Sequence, residues 1–152
     1  MTRPPALLAF VALAALPACG ILDATPEGGL LTFEVREVNW DPPTPRIVLF
    51  VSDDQTYPCF NYLIENELSI QDHTIRVAMS GDVKAPNICL TAIGPAQIRS
   101  PLPITQGTYA LQFVRGGLTD RYTVTITATT IEIRTLEAHF TRPTASQFPR
   151  AT

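Results

Sequence analysis

From Leu31 onward apolar and polar residues alternate. Leu31, Phe33 and Val35 interleave with Thr32, Glu34 and Arg36, the period of two that a half-buried strand requires. The apolar positions resume at Val38 and Trp40 on the other parity, which predicts a β-bulge near Glu37. The proline-rich run DPPTP then stops the strand. Arg46 to Ser52 (RIVLFVS) is continuously apolar and reads as a strand buried on both faces. Tyr62, Ile64, Asn66, Leu68 and Ile70 share one parity, with Glu65, Glu67 and Ser69 on the other. Gln71, Asp72 and His73 make a turn, and Ile75, Val77 and Met79 return as a hairpin. A short strand is expected over 87–93. Pro101-Leu-Pro-Ile leads into a strand from Gly107 to Val114, Gly116-Gly117 turns it, and Tyr122, Val124 and Ile126 run back. Ile131 and Ile133 close the series.

The pattern predicts seven to eight short strands and no helix of note. Such faces are buried without helices by stacking two antiparallel sheets, so a β-sandwich is expected. Parallel pairing is not expected, because it normally requires crossover helices. With 152 residues the chain suits one domain. Hydrophobic residues make up 45% and charged ones 16%, enough to build a core. The net charge of −3 argues against a nucleic-acid partner, which selects a basic face.

The N-terminus changes the picture. Arg3 precedes an uncharged apolar run from Ala6 to Leu16. As a helix it would cover about half of a ~30 Å hydrocarbon core, too short to span and the right size for the apolar region of a signal peptide. Pro17 ends it. Leu16-Pro17-Ala18-Cys19 resembles the lipobox of bacterial lipoproteins: an aliphatic residue, then a small residue directly before cysteine. The resemblance implies that the signal helix of residues 1–18 is cleaved, that Cys19 is lipidated (diacylglyceryl and palmitate-type chains), and that membrane lipid is a partner through it. Gly20 follows; the family retains proteins in the inner membrane with Asp there, so the outer membrane is implied if the cell is Gram-negative. Residues 19–29 then form a tether, 30–136 the globular domain and 137–152 a flexible tail.

With Cys19 lipidated, Cys59 and Cys89 remain, and export to an oxidising compartment pairs them as a disulfide. A reactive thiol or a metal ligand is the alternative, and no CxxC or histidine cluster accompanies either cysteine. The stretch from Leu102 to Ile126, with Gly107-Thr-Tyr, an apolar alternation, a glycine turn and Tyr122-Thr-Val-Thr-Ile, resembles the closing hairpin of bacterial immunoglobulin-like domains. It implies an immunoglobulin-like antiparallel β-sandwich. Trp40 precedes both cysteines, so the antibody order Cys…Trp…Cys is not followed.

Chemistry is sparse. His73 beside Asp72 reads as a solvated turn pair, and His139 lies in the expected tail. No serine stands in a G-x-S-x-G context. Glu65 and Glu67 read as an outer polar face. Asp53-Asp54 lacks the spacing of a calcium loop. No cofactor, metal site or catalytic residue is expected. The candidate binding surface is Tyr57, Phe60 and Tyr62, stapled by Cys59 and flanked by the Cys89–Pro95 loop, because aromatics preset by a disulfide lose little entropy on binding. The expected role is a lipid-anchored, non-catalytic envelope protein that binds an envelope protein or polymer. A small surface hydrolase or hydrolase inhibitor is the alternative.

Overall fold

The computed structural model describes residues 29–39 and 46–150. The lipobox with Cys19, the signal segment and Trp40 lie outside the described residues. Within them the chain is all-β. Ten strands follow in order: β1 Leu31–Val38, β2 Arg46–Ser52, β3 Leu63–Gln71, β4 Thr74–Lys84, β5 Gln97–Leu102, β6 Gly107–Arg115, β7 Leu118–Ile126, β8 Thr130–Glu137, β9 Thr141–Pro143 and β10 Gln147–Pro149. They form one curled, mixed sheet in the order β10-β8-β7-β6-β4-β3-β5-β2-β1-β9.

The inward residues are those that the period of two selects. Phe33 of β1 packs on Phe113 of β6 and on Tyr122 of β7, with ring centroids 4.8 Å apart in each case. Strands far apart in the sheet order thus face each other across one core, which is how the curl buries both ends of the sheet. Leu49, Val51, Ile75, Val77, Leu111, Val124 and Ile131 fill the rest. The hairpin after β3 turns through Asp72 and His73, both at positive φ (45° and 61°). That backbone matches the right-handed twist of the flanking strands.

Four expectations are corrected. Three pairs of strands are parallel: β4 with β6, β1 with β9, and β3 with β5 at the single pair Leu63↔Gln97. The β4–β6 crossover is built from the irregular segment 85–96 and β5, which pairs with β2 instead, so no helix is needed. The segment expected as a strand over 87–93 is part of that irregular connection, and the strand is formed later, as β5. Pro101 is tolerated in β5 because β5 has only one fully paired edge.

The bulge at Glu37 does not form. Pairing with β2 runs without a shift from Thr32↔Ser52 to Val38↔Arg46. Glu37 keeps its parity, and its side chain is only 2% exposed because Arg150 reaches it with an Nη2–Oε1 contact of 2.7 Å. An ion pair occupies the position at which a bulge was expected.

The segment 137–152 is not a loose tail in its described part. Phe140 is fully buried, β9 extends the β1 edge, and β10 extends the β8 edge. The last residues therefore cover both edges of the sheet, which otherwise expose unpaired backbone.

The strands also fix two ends of the molecule. Gly29, the end of β2, the start of β3, the end of β4, the start of β5 and the β6–β7 turn lie at one end. The Asp72-His73 hairpin, the Leu102–Gly107 connection and the β7–β8 turn lie at the other.

Candidate functional site

Two irregular connections meet at the end that holds Gly29. One runs over 53–62 between β2 and β3. The other runs over 85–96 between β4 and β5. Four separate attachments hold them together. Asp53 donates its N–H to the Ala96 carbonyl (3.1 Å) and accepts the Ala96 N–H on Oδ1 (2.9 Å). Tyr57 and Gly94 exchange backbone hydrogen bonds in both directions (2.8 and 3.2 Å). Cys59 and Cys89 are joined by a disulfide. Asn61 donates from Nδ2 to the Ile88 carbonyl (2.8 Å) and accepts the Leu90 N–H on Oδ1 (3.2 Å).

The sequence-selected aromatics divide between two roles. Tyr57 and Tyr62 stack on each other at 4.6 Å and pack against the core. The Tyr57 hydroxyl donates to Asp53 Oδ2 (2.9 Å). Burial, then this bond and the Asp53 charge, hold the Tyr57 phenol above its ordinary pKa. Phe60 is 38% exposed and rests against Gly94, where a Cβ would crowd its ring. Around it the 85–96 segment exposes Ile88 (77%), Ile93 (72%) and Leu90 (51%). Leu90 and Ile93 belong to the Cys89–Pro95 loop that the sequence reading set beside the aromatics; Ile88 and the clamp residue Asn61 were not singled out by it. The available signal was that 85–96 (APNICLTAIGPA) carries no charge at all.

Beside this end the outer face of β1, β2 and β5 carries a ladder of cations and rings. Arg36 lies 4.4 Å over Phe50, and Arg99 lies 5.8 Å from Phe50 and 5.6 Å from Phe60. Phe50 is the cross-strand partner of both Glu34 and Arg99, so register alone brings the ladder together. Next to it β3 and β5 pair only at Leu63↔Gln97. Beyond that pair a cleft of about 690 Å³ opens, with Glu65, Glu67, Lys84 and Arg99 on its walls.

The remaining polar residues are placed apart from this end or used structurally. Asp72 and His73 sit at the opposite end, and the His73 ring lies 5.1 Å from Tyr109. His139 contacts Glu137 (3.1 Å), and this bond, with Arg121, keeps the Glu137 carboxyl below its usual pKa. The Asp53 carboxylate, a conceivable cation ligand by sequence, is spent on Ala96 and Tyr57. Among the described residues no group of three or more His, Cys, Asp or Glu is placed to hold a metal ion. No family model, curated protein or solved structure matches the chain.

Proposed function

We propose that this chain is a lipid-anchored, non-catalytic protein of a bacterial envelope, acting by binding through the disulfide-clamped end of an immunoglobulin-like β-sandwich. The anchor rests on the lipobox-like Leu16-Pro17-Ala18-Cys19. The sandwich reading is supported by the near-separation of the sheet between β3 and β5, which leaves four strands on one side and six on the other. The observation that carries the binding role is the charge-free segment 85–96, held from four directions while it exposes Ile88, Leu90 and Ile93. Apolar groups already fixed in place lose little freedom on docking, so their burial is retained as affinity.

Growth on an alkyne-tagged palmitate, followed by membrane fractionation, tests the anchor. Wild-type protein is expected to carry the tag and stay with washed membranes. The Cys19→Ala variant is expected to lose both. A variant that remains membrane-bound and tagged overturns the assignment of Cys19.

A clamped exposed loop is also the shape of a hydrolase inhibitor. Inhibition of an envelope hydrolase by the protein, abolished by Ile93→Asp, would favour that reading.

A further inference from the structure

We propose that the clamped end lies on the lipid bilayer itself, with Ile88, Leu90 and Ile93 of the 85–96 segment set into the headgroup region. This rests on the lipid anchor at Cys19 and identifies what the same end binds.

The position of the tether carries the argument. The chain enters the sheet at Gly29, at the clamped end. Gly29 lies so close to the Asp54 carboxylate that a Cβ there would overlap it, and its carbonyl accepts a hydrogen bond from Arg115 Nη2 (3.0 Å). Gly29, Asp53, Gln55 and Tyr57 line one shared crevice. Ten peptide units separate Cys19 from Gly29, so the sheet is tied within about 36 Å of the acylated residue at full extension. A nine-residue strand such as β6 spans about 30 Å. The opposite end is about one molecular length farther from the point of attachment, and the clamped end is the one the tether holds nearer to the bilayer.

The chemistry of that end suits lipid. Residues 85–96 contain no charge, so entering the headgroup boundary desolvates no ion. Phe60 adds an exposed ring beside this segment. A short tether also makes the contact intramolecular, at millimolar effective concentration, so a segment too weak to bind alone is held down. The Arg36–Phe50–Arg99 ladder and the β3–β5 cleft then face sideways, open to the aqueous space of the envelope.

The test uses the full-length protein, purified and placed on vesicles of phosphatidylethanolamine and phosphatidylglycerol. Mass at Cys19 and co-flotation with vesicles read the anchor on their own. Two variants, Ile93→Trp at the clamped end and Gln106→Trp at the opposite end, are compared on lipids brominated high in the acyl chain, with the emission of Trp40 alone subtracted. Ile93→Trp is expected to lose about half of its emission, as for a ring sunk ~5–10 Å into the headgroup boundary, and Gln106→Trp almost none. Adding Ile88→Asp and Leu90→Asp to Ile93→Trp is expected to restore the lost emission. Equal emission of the two tryptophans on bromolipid overturns the proposal. So does an Ile93→Trp signal unquenched on pure vesicles but shielded in native membranes, which assigns the end to a protein partner. If Cys19 is unmodified, the anchor fails separately, and coupling its thiol to a maleimide-bearing lipid restores the tether, so that the same comparison of quenching still decides the loop.

Discussion

Asp120 holds Thr141 twice through one oxygen: Oδ2 accepts both its backbone N–H and its hydroxyl, each at 2.6 Å. The same carboxylate accepts the N–H groups of His139 (2.7 Å) and Phe140 (3.0 Å). Asp120 is fully buried, and buried Arg115 supplies the nearby positive charge. Three successive backbone donors thus converge on a side chain of β7, which sets the course of the chain from β8 across to β1.

Removing that carboxylate strands its donors and takes away one of the negative charges that face Arg115. Asp120→Ala is expected to cost about 3–5 kcal/mol, seen as a fall in Tm of roughly 10 °C or more by circular dichroism. Thr141→Val, which loses only the hydroxyl, is expected to cost about 1 kcal/mol. The two losses should not add, because they share one network. Additive losses would show that the carboxylate and Thr141 act independently.

The C-terminal segment carries a second expectation. Phe140 is completely buried, and the Arg115 guanidinium lies 4.5 Å over its ring. Phe140→Ala is expected to destabilise by about 3–5 kcal/mol. Arg150→Ala breaks the contact with Glu37 and the Nη1 bond to the Thr127 carbonyl (2.7 Å). It leaves a nearly buried carboxylate without this partner and is expected to cost about 2–3 kcal/mol in urea unfolding. Retention of wild-type stability by either variant would return the segment to the status of a tail.

These two segments explain how far the sequence was legible. Alternation marked β1, β3, β4, β6, β7 and β8, because their inward residues are apolar and burial follows parity. The C-terminal strands were invisible because three-residue strands carry no period, and because Asp120, a polar residue, sets their path from 20 positions away. A bulge was expected at Glu37 because the period treats every inward position as apolar, whereas Arg150 pairs with that carboxylate from the far end of the chain. At the candidate site the cysteine pairing was legible, whereas two of the three aromatics, Tyr57 and Tyr62, turn to the core, and Asn61 was missed because its two bonds reach 27 and 29 residues along the chain.

The disulfide has a stability role that can be separated from its role in fixing the loop. It spans 30 residues, worth about 3–4 kcal/mol in the chain-entropy account. Cys59→Ser with Cys89→Ser is expected to lower stability by that amount. The Asp53–Ala96 and Tyr57–Gly94 bonds should survive. Hydrogen exchange is then expected to rise at Ile88 to Leu90 while the amides of Ala96 and Gly94 stay protected. Loss of protection over all of 85–96 would mean that the disulfide alone holds the connection.

Alkaline pH tests the buried phenol. Tyr122 is 1% exposed and donates to the Thr141 carbonyl (2.7 Å). Burial, with the Asp120 charge adding to it, raises its pKa above the ordinary value, while its bond to Thr141 acts the other way. Well below pH 10, at about pH 8, the phenol is neutral in both folded and unfolded chains, and its contribution to stability is complete. Above that pH the unfolded chain ionises first and binds fewer protons than the folded one, so the stability falls with pH. One fully coupled tyrosine contributes at most about 1.4 kcal/mol per pH unit in that range. Tyr57 shifts in the same direction and adds to the slope. Urea unfolding in steps from about pH 8 to about pH 11 is expected to show stability declining past pH 10. Tyr122→Phe should begin about 1 kcal/mol lower at neutral pH, having lost the bond to Thr141, and then decline less steeply. A slope identical to wild type would show that Tyr122 ionises no later in the folded chain than in the unfolded one.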